Sequence, residues 1–200
     1  MKFISIFLLF ALTFVTACSN DLTENKRDAV IKEVELTDFE IGLLNVVSEH
    51  FFAYDLEIKE RDVQRIMITV DYYGEGELME ELLQLSIEIS EEEIKDDIRI
   101  ILLKQNLEEK DQWIGTIILN NGQISTTAEK DIDMEAEMLG SASGYTSLPV
   151  SINREEKKIV ATIVNSNNNV ISLETSIETD EQLEAATGYE QVYIVSIELE

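Results

Sequence analysis

The sequence is short of the residues that most chemistry needs. Its 200 residues include one cysteine (Cys18), one histidine (His50) and one tryptophan (Trp113). A lone cysteine excludes a disulfide within the monomer. A lone histidine excludes zinc sites built on two or three His ligands and leaves His50, at most, as a single general base. Basic residues are also scarce. There are 15 Lys and Arg against 41 Asp and Glu, for a formal net charge of −26. Nucleic-acid binding rests on cations that neutralise phosphates, so this balance argues against a nucleic-acid partner. It also disfavours adsorption to anionic headgroups. No Gly-x-Ser-x-Gly elbow, Gly-x-Gly-x-x-Gly fingerprint or phosphate-binding P-loop occurs. Gly74-Glu75-Gly76 reads as a turn, not as a nucleotide loop.

Hydrophobic residues make up 44% of the chain, enough for a packed core. The excess of acid favours solubility and cationic partners. Two acidic clusters stand out. Glu91, Glu92, Glu93, Asp96 and Asp97 form an acidic loop. Asp131, Asp133, Glu135 and Glu137 recur every second residue, so on a strand they would share a face and could gather Ca²⁺ through oxygen ligands. The EF-hand glycine and terminal Glu are missing, so both clusters read as solvated surface. Paired carboxylates are too abundant here to mark a glycosidase. The sequence assigns no catalytic residue, no metal ligand and no cofactor.

The N-terminus carries the most specific signal. Lys2 is followed by an apolar run, Phe3 to Val15, of 13 residues. A membrane span needs roughly 20, so the run fits a signal peptide instead. It closes on Val15-Thr16-Ala17-Cys18, which resembles the bacterial lipobox. In that motif an aliphatic residue and two small residues precede a cysteine, whose thiol can form a thioether to diacylglycerol. The chain as a whole is similar to small lipoproteins of Bacillus-like Gram-positive bacteria. The resemblance implies cleavage before Cys18, lipid on Cys18 and a position on the extracytoplasmic face of the cell membrane. It implies no activity.

Residues 1–17 are therefore read as a signal peptide and 18–33 as a lipidated tether, polar and without periodicity. Thr37-Asp38-Phe39-Glu40 fits a capping box, and Phe39, Leu43, Val46 and His50 follow at helical spacing. This predicts a helix from about Asp38 to Val47. Strand patterns follow: Phe51 to Lys59, Arg65 to Tyr73, Leu83 to Ile89, Ile98 to Leu103, and a hairpin of Trp113 to Asn120 with Gln123 to Thr126 across Asn121-Gly122. Thr126 to Glu129 offers a second capping box, with Gly140 as the C-cap of a helix over 127–139. The alternation of Ile132, Met134, Ala136 and Met138 with acids fits a strand equally well. Further strands are expected over Ser147 to Ile152, Lys158 to Val164, Val170 to Ile177 and Gln191 to Leu199.

The expected fold is mainly β, an antiparallel sandwich of two β-rich halves, 34–126 and 127–200. Each half carries one short helix, and together they can form one domain. The order of elements suggests an internal repeat, with Phe52 matching Tyr145, Ile58 matching Ile152, and Ser86-Ile87-Glu88 matching Ser176-Ile177-Glu178. Phe51, Phe52, Tyr54, Tyr72, Tyr73 and Trp113 read as core, or else as a shelf for carbohydrate or peptide. The expected function is a non-enzymatic binding or interaction module held on the membrane by Cys18, with a protein or cell-envelope partner. The alternatives are an accessory subunit of a membrane complex and, with no nucleophile or base in evidence, an envelope hydrolase.

Overall fold

A computed structural model of the chain describes residues 27–90, 94, 97–107, 110–131, 140–167, 171 and 177–200. Eleven strands and two helices follow in chain order: β1 (Ala29–Glu33), α1 (Asp38–Val47), β2 (His50–Ile58), β3 (Arg65–Gly74), β4 (Glu77–Glu88), β5 (Ile98–Leu107), β6 (Lys110–Leu119), β7 (Gly122–Asp131), β8 (Gly140–Tyr145), β9 (Val150–Ile152), β10 (Lys157–Ser166), α2 (Asp180–Thr187) and β11 (Gln191–Leu199). They form two antiparallel sheets. The first has the order β7-β6-β5-β2-β1-β9, the second β4-β3-β11-β10-β8. Each sheet takes strands from both halves of the sequence.

Period-two patterning explains why the sheets stack. Ile98, Ile100 and Leu102 of β5 alternate with half-exposed Arg99, Ile101 and Leu103. Phe52, Tyr54 and Leu56 of β2, Trp113 and Ile117 of β6, and Tyr193, Val195 and Ile197 of β11 point into the same space. They make one core between the sheets. A smaller core lies behind the second sheet, where Val192, Ile194 and Val164 meet Ile177, Leu183 and Ala186 of α2 and its approach. Gly115 of β6 marks a close approach of the sheets: a Cβ there would sit 3.3 Å from Leu83 Cδ2 on β4.

Two hairpins show how turns set register. Gly74 pairs with Glu77, leaving Glu75 and Gly76 as a two-residue loop with φ of 51° and 90°. Both positive angles match the right-handed twist of the strands. The other hairpin differs from expectation by one residue. Leu119 pairs with Gly122, so the turn is Asn120-Asn121 and Gly122 opens β7.

Three further expectations are corrected. Residues 29–33 are not tether: β1 pairs with β2 and with β9, and Ala29 and Ile31 are fully buried. The polar composition of 18–33 hid a short alternation, Ala29-Val30-Ile31, that needs partners far along the chain. Residues 127–131 are strand rather than helix, because β6 supplies a complete ladder from Lys110↔Asp131 to Leu119↔Gly122. The helix of the second half is instead α2, opened by a capping box of Thr179 and Gln182. Residues 132–139, and most of the expected strand at Val170 to Ile177, lie outside the described residues.

The place of β1 yields a test. A chain beginning at Val34, as a tether ending at Glu33 would allow, should lose cooperative unfolding or melt far below a chain beginning at Ser19. Equal melting midpoints by circular dichroism would restore the tether boundary at residue 33.

Candidate functional site

The least expected residues lie inside the sandwich. On β5 the inward row Ile98, Ile100, Leu102 continues to Lys104, which is 3% exposed. Its Nζ donates to Asp111 Oδ1 at 2.9 Å and to Glu49 Oε2 at 2.7 Å. The Tyr193 hydroxyl, from the other sheet, donates to Asp111 Oδ2 at 2.9 Å. The Lys104 ammonium also lies 5.7 Å from the Tyr193 ring centroid, and Trp113 and Tyr72 pack on that ring at 5.4 and 5.3 Å. Burial, with Asp111 beside it, raises the Tyr193 pKa, so the hydroxyl stays protonated and donates. No proton acceptor or nucleophile is freed by this arrangement. Lys104 Nζ, both Asp111 oxygens and the Tyr193 hydroxyl are spent on one another and on Glu49, which is the pattern of a structural tie, while the Trp113 indole N–H packed beside them is buried without a partner.

A row of similar ties runs along β2. The Tyr54 hydroxyl donates to the Val160 carbonyl at 3.1 Å, and the Tyr145 hydroxyl to the Phe51 carbonyl at 3.1 Å. His50 Nε2 lies 3.1 Å from Ser141 Oγ. Burial lowers the His50 pKa, so the ring is held neutral at the junction of α1 and β2. It fills a structural place.

Beside this row lies a hollow of about 220 Å³, lined by Glu33, Val34, Leu36, Phe51, Ala53, Tyr54, Tyr145, Thr146 and Leu148. It exists because β1 leaves the sheet early. Glu33 is its last residue, opposite Tyr54, while β2 continues back to His50. The chain from β8 to β9 then crosses from one sheet to the other and closes the far wall. The lining joins the apolar Val34, Leu36, Phe51, Ala53 and Leu148 with Glu33, Thr146 and two tyrosines, in nearly equal polar and apolar parts.

The third feature is α1. Its capping box is complete: Thr37 Oγ1 accepts from the Glu40 backbone N–H, and Glu40 Oε2 accepts from the Thr37 N–H at 2.8 Å. The helix is where the sequence predicts it, but its apolar row faces the other way. Phe39, Leu43 and Val46 are 78%, 53% and 83% exposed, and no residue of α1 is buried. The helix is fixed at its C-terminal end, where Gln105 donates to the Val47 carbonyl at 2.6 Å. At the other end the Thr37 N–H and hydroxyl hold the Glu40 carboxyl below its usual range, with Arg99 adding a smaller attraction. The helix packs beside β2, and the Gln105 bond ties its end to β5. A side chain of this kind contributes about 1.5–3 kcal/mol when fully covered, so the uncovered row is a substantial unsatisfied apolar surface.

The chain matches the YgaN domain over residues 30–199. It belongs to the YgaN domain family. The match begins inside β1 and ends on the last residue of β11, so the whole described sandwich is the YgaN domain. No curated protein and no solved structure matches the chain.

The residues singled out in the sequence are scattered through the YgaN domain. Phe52, Tyr54 and Trp113 are core, Phe51 lines the hollow, and Tyr72 packs on Tyr193. Asp97 and Asp131 are exposed. Cys18, Glu91, Glu92, Glu93, Asp96, Asp133, Glu135 and Glu137 lie outside the described residues. Among the described residues no group of three or more His, Cys, Asp or Glu is placed to hold a metal ion. Among them, too, no helix is long and apolar enough to cross a membrane. Sequence reading missed Lys104, Asp111 and Tyr193 as a set. The signal was present: Lys104 and Asp111 both fall on the inward phase of their strands, next to Leu102 and Trp113.

Lys104→Met should cost about 3–5 kcal/mol, because it leaves Asp111 buried without a counter-charge. Replacing the set together, Lys104→Met with Asp111→Leu and Tyr193→Phe, should recover most of that loss. Urea unfolding at neutral pH measures both. A Lys104→Met variant as stable as the parent would show that the ammonium is not an internal tie.

Proposed function

We propose that this chain is a membrane-anchored, extracytoplasmic lipoprotein whose YgaN domain is a non-enzymatic binding module. The anchor is read from Val15-Thr16-Ala17-Cys18, with the lipid on Cys18. The binding site is the hollow between β2 and β8. The observation that carries this reading is the edge of β2: beyond Tyr54 no strand among the described residues pairs with it on the β1 side, and the hollow there is lined by both apolar and polar side chains. An extended peptide can lay its backbone along such an edge and place one apolar side chain in a hollow of this size. The ligand class is therefore a short, mainly apolar peptide segment of a protein partner. A cationic flank would suit the acidic charge of the domain and speed association.

The hydrogen bonds that Lys104, Asp111 and Tyr193 make with one another support a scaffold role for this set. An accessory role beside an integral membrane protein is compatible with this site, the partner then supplying the peptide.

Two variants separate the anchor from the hollow. Cys18→Ala should abolish incorporation of a fatty-acid probe, and unchanged labelling would overturn the anchor. Ala53→Trp should fill the hollow. Peptides selected from a display library on the unlipidated chain should then bind at least about tenfold more weakly, a loss of about 1.4 kcal/mol, with the melting midpoint preserved. Selected peptides that bind Ala53→Trp unchanged would place binding elsewhere.

A further inference from the structure

We infer that α1 lies on the surface of the bilayer that holds the lipid of Cys18, with Phe39, Leu43 and Val46 in the boundary between headgroups and acyl chains. This rests on the lipoprotein reading above and adds an orientation to it.

The helix geometry puts the three side chains in one row. Steps of about 100° per residue bring positions 39, 43 and 46 within about 60° of each other. Gly42 lies beside that row, and the charged Asp38 and Glu40 fall at its two flanks. No charge stands on the row itself. A helix with an apolar outer row needs a cover, and an interfacial helix finds it in the lipid boundary.

The reach fits. Ten residue steps separate Cys18 from Asp28, the residue before β1, and each spans at most about 3.6 Å. The fold is thus held within about 35 Å of the lipid. Asp28 leads into β1, a strand of the sheet beside which α1 packs. The bilayer is the apolar phase that this leash keeps next to the helix.

Charge argues against a second copy as the cover. The chain carries −26 overall, and the face around α1 sets the cations Lys32, Lys59 and Arg99 among its carboxylates. Lys32 and Lys59 both pair with Glu57, and Arg99 pairs with Asp55 at 2.9 Å. Asp97 and the helix's own Asp38 and Glu40 add to these carboxylates, so the three cations offset only part of the repulsion between this acidic protein and anionic headgroups. Two copies meeting through α1 would bring their Asp38 and Glu40 residues together, on top of −26 for each chain.

The test uses the acylated full-length product. Its only cysteine is consumed by lipid, so Val46→Cys adds a single free thiol for an environment-sensitive nitrobenzoxadiazole label. Ser86→Cys, on the exposed face of the second sheet, is the control. In vesicles of three parts phosphatidylcholine to one part phosphatidylglycerol, the label at 46 should shift to the blue. It should lose most of its emission when doxyl-labelled lipid is added, while the label at 86 keeps its emission. Equal, water-like emission at both positions overturns the proposal. So does a label at 46 that is shielded without doxyl quenching, in a species of twice the mass or one carrying a second protein. The intact mass of the purified chain reports separately on the anchor. A mass without diacylglycerol overturns the lipoprotein reading and this one with it, whereas an acylated chain with a wet α1 overturns only the orientation.

Discussion

Lys104 puts a positive charge where the alternation of β5 calls for another aliphatic side chain. Removing an ammonium from water costs several kcal/mol unless partners surround it, and here Asp111, Glu49 and the Tyr193 ring do so. The geometry of that solution joins β5 and β6 of the first sheet to β11 of the second. A sandwich packed by aliphatic side chains alone tolerates sliding of one sheet on the other. A carboxylate shared by an ammonium and a tyrosine hydroxyl does not, because any shift breaks a buried hydrogen bond. The ties from Tyr54 to Val160 and from Tyr145 to Phe51 act in the same sense nearby. Together they hold β2 and β8 at the spacing that leaves the hollow open.

The same fixed frame explains α1. With the sheets already bound through their inner faces, the helix is not needed to bury the core, and none of its residues is buried. Its sequence is nevertheless apolar on the side that faces out. In a chain so rich in Asp and Glu, three exposed apolar side chains in one row are a departure from the surface composition around them. On this row rests the proposal that α1 meets a bilayer. The global charge argues against contact with anionic lipid, and the cations near α1 offset that only in part. On the outer face of β2 and β5 the Lys and Arg side chains are matched to carboxylates.

Much of the fold is legible in the sequence wherever local pattern and tertiary demand agree. The strands at Arg65, Ile98 and Gln191 start where the alternation starts, and the capping box of Thr37 and Glu40 opens α1 at Asp38. Failures follow from pairing that no local pattern reports. Thr126 to Glu129 has the residues of a capping box, but the ladder to β6 outweighs it. β8 runs Gly140-Ser-Ala-Ser-Gly-Tyr145, without a hydrophobic alternation, and is a strand because β10 lies beside it. β1 is five residues long and is held by β2 and β9. α2 could have been found, since Thr179 and Gln182 stand at capping-box spacing. The site was the least legible part. Phe39, Leu43 and Val46 give the period of a helix but not the side it buries, and the hollow arises from where β1 ends.

Hydrogen exchange on the isolated, unlipidated chain tests most directly whether the internal ties govern the fold while α1 stands free of it. The backbone amides of Lys104, Asp111 and Tyr193 should exchange only through global unfolding, with the full unfolding free energy as their protection. Those of Gly42 to Val47 should exchange through local opening, at much lower protection. Early exchange at Lys104, Asp111 and Tyr193, or α1 amides as slow as theirs, would contradict the account.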